Sequence, residues 1–113
     1  MTEERQALIW QADVTHPQLA EETKEALREV LDPEIGLNII ELGLIRDVTI
    51  EDNKAHVVMI LTTPFCPYGP ALLDMARTKA ENALKQPTTI ELGMQMWDPT
   101  MMEEGVGGDW GLF

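Results

Sequence analysis

Apolar residues recur at three- and four-residue steps through Leu19, Thr23, Ala26, Leu27, Val30 and Leu31, with Glu21, Glu22, Glu25 and Arg28 between them. That spacing predicts an amphipathic helix from Pro17 onward. It should stop at Leu31 or Asp32, because Pro33 disfavours the helical conformation in the residue before it. Upstream, "ALIW" in residues 1–16 is too short to assign by period. Downstream, "DPEIGLNI" reads as a loop.

A period of two follows. "ELGLIRDVTI" places Leu42, Leu44, Val48 and Ile50 at even positions, and "AHVVMILTT" is apolar on both faces, as in a central strand ending near Thr63. "EDNK" lies between them as a turn, so the two runs predict a hairpin closed by a four- or five-residue loop. A second helix is expected from Pro70, with Ala71, Leu72, Met75, Ala76, Ala80, Ala83 and Leu84 on one face and Pro87 beyond its end. "TTIELGMQMW" alternates again, with Ile90, Leu92, Met94 and Met96 on one side of a third strand. Asp98-Pro99 then resembles an N-cap and first helical residue, opening a short helical turn that Gly105 ends. The order helix, strand, strand, helix, strand predicts a small mixed sheet with helices packed on it, an α/β (α+β) fold. The expected division is an N-terminal segment 1–16, one domain over 17–104 and a Gly-rich tail 105–113 carrying Trp110, Leu112 and Phe113.

Composition narrows the function. A chain of 113 residues, 44% of them hydrophobic, suits one folded domain. No apolar run approaches the ~18 residues of a membrane span, and the acidic start lacks the plan of a secretory signal. A single cysteine forms no internal disulfide, so the expectation is a cytoplasmic protein. Twenty acids against eight scattered bases leave a formal charge of −12, which opposes nucleic acid and anionic lipid and favours solubility or a basic protein partner.

The chemistry gathers at "LTTPFCPYGP", which holds the one cysteine, Cys66, between Pro64, Pro67 and Pro70. A loop between a strand end and a helix N-terminus favours a thiolate, with Thr62 and Thr63 as nearby hydroxyls. Residue type alone favours a small buried filler for Cys66, but Pro64, Pro67 and Pro70 fix the loop more firmly than a filler requires. No general base accompanies it: His16 precedes the first helix, and His56 lies ~20 Å from Thr62 along an extended strand. One thiol and two separated histidines make no zinc signature, and one chain cannot supply the four thiolates of a cluster.

Three stretches together, "DPEIGLNIIELGLIRDV", "LTTPFCP" and "WDPTMM", resemble the SufT/PaaD-like domain family. That family is linked to iron–sulfur protein maturation and includes the eukaryotic cytosolic iron–sulfur targeting subunits. The likeness spans roughly Leu19 to Glu104 by element order. Asp32, Pro33, Glu34 and Gly36 match its first motif, followed by Leu42, Gly43 and Leu44. Thr62, Thr63, Pro64, Cys66 and Pro67 match its loop. Phe65 stands where the family commonly has Gly, Gly105, Gly107 and Gly108 interrupt the helix that usually follows, and the C-terminal cysteines of PaaD-type proteins are missing.

The resemblance implies that Cys66 is the functional thiol, with Asp32, Thr62 and Thr63 around it in one pocket. It implies transient contact with iron or an iron–sulfur cluster through Cys66, with none stably bound. It also implies partners among iron–sulfur assembly proteins and apo-clients, with a homodimer as one way to pair two thiols. An assembly or carrier role is expected before an enzymatic one. The alternatives are a PaaD-type interaction module for a multicomponent oxygenase and a thiol-dependent enzyme or redox sensor.

Overall fold

The computed structural model describes residues 10–33, 35–63 and 67–102. Its elements are α1 (Gln11–Thr15), α2 (Pro17–Leu27), β1 (Ile45–Glu51), β2 (Lys54–Met59), α3 (Gly69–Leu84), β3 (Thr88–Leu92) and a 3-10 turn at Pro99–Met101. The strands lie in the order β1-β2-β3. β1 and β2 are antiparallel, whereas β2 and β3 are parallel and joined through α3. The mixed sheet and the element order agree with the sequence pattern, and α1 is an addition to it.

Period-two patterning works as expected on one face of the sheet. Val48 pairs with Val57, Ile50 with Ala55 and Ile45 with Met59, and all six are buried. The opposite face is half-exposed at Thr49, His56 and Val58. β2 is therefore central, as expected, but buried on one face only. On α3 the buried stripe is Gly69, Leu72, Ala76, Ala80 and Leu84, while Ala71 and Met75 face outward. α2 lies against α3, with Lys79 Nζ 2.5 Å from Glu29 Oε1 at their margin.

Several boundaries differ from the sequence expectation, among them that of the third strand, which ends at Leu92 rather than running on to Trp97. α2 ends at Leu27, not Leu31 or Asp32. The cause is backbone pairing further on: Val30 O accepts from Ile39 N at 3.0 Å and Asp32 N donates to Leu37 O at 2.9 Å, so residues 30–39 fold back on themselves. β1 begins at Ile45 because Asn38 and Glu41 cap each other's backbone N–H groups at 3.1 and 2.8 Å and open a turn. Leu42 and Leu44 are buried in that turn and its exit rather than in a strand. The hairpin closes through two residues, Asp52 (φ 52°) and Asn53 (φ 62°), with Glu51 paired to Lys54. Both side chains tolerate the left-handed conformation that this tight turn demands.

The segment before α2 folds by docking. Trp10 is buried and its Nε1 donates to Ile45 O at 3.2 Å, while Gln11 bonds Asp47 through both its backbone and its amide. Lys24 Nζ sits 5.1 Å from the Trp10 ring centroid and 3.2 Å from Asp13 Oδ1.

Candidate functional site

The Asp-Pro turn after α2 is built around its first residue. The Asp32 carbonyl accepts from Ile35 N at 3.2 Å and Gly36 N at 2.7 Å, and Asp32 Oδ1 accepts from Ile35 N at 3.3 Å. Gly36 takes φ 86° as the chain turns back. The Asp32 side chain is directed inward, leaving the residue 1% exposed. Buried carboxylates persist where hydrogen bonds replace lost water. One such bond is long in sequence: Thr62 Oγ1 donates to Asp32 Oδ2 at 3.4 Å, near the outer limit for such contacts.

Thr62 and Thr63 are half-buried and follow the C-terminal end of β2. β2 stops at Met59 rather than near Thr63, and Ile60 N donates to Leu44 O at 2.8 Å, fixing the chain's exit. Tyr68 occupies the N-cap position of α3, and Leu72 N donates to its carbonyl at 3.0 Å. The chain between Thr63 and Tyr68 thus connects a strand end to the N-terminus of a 16-residue helix. Pro67 is exposed and Pro33 is exposed. Cys66, Pro64, Phe65 and Glu34 lie outside the described residues, as do residues 103–113, which include the tail 105–113.

A strap formed by residues 93–102 closes this end of the sheet. Gly93 N donates to Met59 O at 2.8 Å, Arg46 Nε donates to Gln95 Oε1 at 3.1 Å, and Trp97 Nε1 donates to Leu42 O at 2.7 Å. The strap ends over Gly43, which has φ 75° and lies so close that an added Cβ would fall on the Met101 carbonyl. Gly43 is therefore a packing residue of the motif rather than a lining residue of a pocket.

The Asp98 carboxylate begins the 3-10 turn. Its Oδ1 accepts from Thr100 Oγ1 and, at 2.8 Å, from Thr100 N. These two bonds, with help from the Arg46 charge, hold Asp98 below the usual carboxylate range. Burial lowers the Arg46 guanidinium from its ordinary value, and the Asp98 charge opposes that shift. The stabilisation from Asp98 is complete above the ordinary carboxylate pKa and disappears as pH falls through its own lower value. Asp98→Ala should lower the Tm by a few degrees at neutral pH, and the deficit should shrink as acidification carries the solution below the ordinary carboxylate range. A deficit of constant size across that range in paired thermal melts would contradict this assignment.

The expected site residues therefore separate. Asp32 and Thr62 meet across 30 residues of sequence, and Thr63 follows Thr62 on the same strand exit. Gly36 and Gly43 shape turns. Among the described residues no three of His, Cys, Asp and Glu come together in a metal-holding group. His56 belongs elsewhere, with Nδ1 2.7 Å from Thr89 Oγ1 and Nε2 2.6 Å from Glu91 Oε1. The bond from Trp97 to the Leu42 carbonyl had no signal in the sequence, since an indole at a strand end carries none.

This arrangement defines a small α+β domain whose parallel β2-α3-β3 unit puts a threonine-bearing strand exit beside a buried aspartate. The family model for iron–sulfur cluster assembly proteins matches residues 20–92, and the chain belongs to that family. It is 38% identical over 82 residues to the Fe-S protein maturation auxiliary factor YitW of Bacillus subtilis, covering 72% of this chain and 78% of that one. It is also 38% identical over 72 residues to the Fe-S protein maturation auxiliary factor SufT of Staphylococcus aureus, covering 62% and 78% respectively. The crystal structure of a domain of unknown function, DUF59, from Bacillus anthracis superposes with a TM-score of 0.76 at 21% identity, covering 88% of this chain and 98% of that one. That likeness establishes the fold.

Proposed function

We propose that the protein is an accessory factor in the maturation of iron–sulfur proteins, with Cys66 making transient contact with iron or a cluster during delivery. The observation that carries this reading is the meeting of Asp32 and Thr62 at the strand exit that leads, four residues on, to the only thiol of the chain. Membership of the iron–sulfur cluster assembly family and the names of the maturation factors it resembles support it.

Iron or the cluster is cargo in this scheme. One thiolate supplies one ligand, so the remaining ligands come from the donor or client protein, or from a second copy of this chain. α3 begins three residues after Cys66, and the positive end of a helix favours a thiolate nearby. Asp32 and Thr62 would orient the loop or the bound species through hydrogen bonds. The domain acting in this way is residues 17–104, and the absence of a disulfide partner for Cys66 suits the cytoplasm. No helix among the described residues is long and apolar enough to cross a membrane.

The test is anaerobic reconstitution with iron and sulfide, followed by visible absorption and transfer to an apo-ferredoxin. Wild-type protein should acquire cluster absorption and pass it on, and Cys66→Ala should do neither while melting like wild type. Equal transfer by the Cys66→Ala protein would remove the thiol from the mechanism and leave an interaction module.

A further inference from the structure

The alternation puts Ile90, Leu92, Met94 and Met96 on one side of a strand; Ile90 packs against the core beside Val57, whereas Leu92, Met94 and Met96 are left uncovered. These side chains are 52%, 97% and 75% exposed. The odd-numbered neighbours do the holding: Gly93 through its backbone to Met59, Gln95 to Arg46, and Trp97 to the Leu42 carbonyl. A Cβ at Gly93 would lie 3.0 Å from Val58 Cγ1 and 3.1 Å from Ile60 Cγ2, so the strap is pressed against the sheet. The chain leaves β3 at Leu92 and bends at Met94, held by these three contacts while Met94 and Met96 stay exposed. Single exposed apolar residues are ordinary, but three within five residues make an apolar ridge along the strap.

Charge selects what covers it. Residues 88–104 contain Glu91, Asp98, Glu103 and Glu104 and no Lys or Arg. The one base bonded to the strap, Arg46, is half-buried beneath it and faces Asp98. The whole chain carries −12, so a second copy would be repelled and a basic surface attracted. Methionine is flexible and polarisable, and adapts to the gaps between the side chains of an apposed helix. We propose that Leu92, Met94 and Met96 form a docking ridge for a basic amphipathic helix of a partner protein.

This inference rests on the delivery role above and supplies it with a partner surface. The strap passes Ile60, and Leu61, Thr62 and Thr63 then lead toward Cys66. A helix seated on the ridge would stand beside this strand exit.

The experiment uses the full chain, a fluorescent amphipathic peptide of Leu and Lys, and its Leu and Glu counterpart, read by fluorescence anisotropy. The Leu/Lys peptide should bind wild type, and bind Met94→Gln/Met96→Gln about tenfold more weakly, as expected when apolar anchors are lost. The variant should melt like wild type, and the Leu/Glu peptide should not bind. Equal affinity for wild type and variant, or binding of the Leu/Glu peptide, overturns the proposal. So does a dimer in sedimentation that the variant dissolves, which would assign the ridge to a second copy. A gain of about tenfold in peptide affinity on deleting residues 103–113 would overturn it in favour of the chain's own tail.

Complementation of a strain lacking the gene, read as the activity of a host iron–sulfur enzyme, separates the two ideas. Both Cys66→Ala and Met94→Gln/Met96→Gln should fail to complement. Full complementation by the methionine variant alone overturns the ridge and spares the thiol. Full complementation by Cys66→Ala overturns the thiol reading, while peptide binding still decides the ridge.

Discussion

Gly43→Ala should destabilise the domain by about 3–5 kcal/mol, lowering the Tm by roughly 10 °C or more. Two costs combine. A Cβ in the left-handed conformation at φ 75° costs ~1–2 kcal/mol by itself. The same atom would fall on the Met101 carbonyl, so the strap must lift, exposing buried Met102 and stretching the bond from Trp97 Nε1 to Leu42 O. The effects should not be additive. Trp97→Phe alone removes one hydrogen bond and should cost ~1 kcal/mol. In a Gly43→Ala background the same change should cost almost nothing, because the bond is already lost. Additive losses in chemical denaturation of the four proteins of this cycle would show that the strap stays in place. A Gly43→Ala protein melting like wild type would mean that residues 43 and 101 are not in close contact.

Asp32→Ala and Asp32→Asn should part company. The alanine variant leaves Thr62 without its acceptor and removes one of the two acceptors of Ile35 N, and should lose ~1–3 kcal/mol. Ile35 N keeps the Asp32 carbonyl at 3.2 Å, which holds the loss toward the lower end of that range. The asparagine variant retains an acceptor for Ile35 N and the size of the side chain, so it should fold with near-native stability. If the Asp32 charge acts on the Cys66 loop or its cargo, Asp32→Asn should nonetheless lose most client maturation. Thr62→Val keeps the shape and deletes the hydroxyl, and its effect on maturation should merge with that of Asp32→Asn rather than add to it. Thermal melts beside maturation per folded molecule decide between the roles. Full maturation by Asp32→Asn would make Asp32 a turn residue only.

Much of this was readable from residues alone. The period of two in β1, the apolar run of β2, the helical stripe of α3 and the helical crossover between β2 and β3 dictate a mixed sheet, because each leaves apolar surface to bury. The motifs "DPEIG" and "TTPFCP" marked Asp32 and Thr62 through resemblance. Spacing could not bring them together, since residues 30 apart meet only when α2, the sheet and the turn at 30–39 are all in place. Local competition misplaced the ends of α2 and β1: backbone bonds from Asp32 and Ile39, and the mutual caps of Asn38 and Glu41, outweigh helical and strand periodicity there.

The alternation predicts Ile90, Leu92, Met94 and Met96 on one side of a third strand. Period two specifies that alternate residues share a side, but not which side meets the core. Here the even-numbered side does meet the core at Ile90, beside buried Val57, but β3 ends at Leu92 and the chain beyond it leaves Met94 and Met96 exposed. Thus the sequence by itself determined the two longer helices, the three strands, the hydrophobic face of the sheet and the single thiol. The tertiary structure alone decided the burial of Asp32, the close contact at Gly43 and the outward methionines, because each depends on hydrogen bonds between segments whose separation no local pattern encodes.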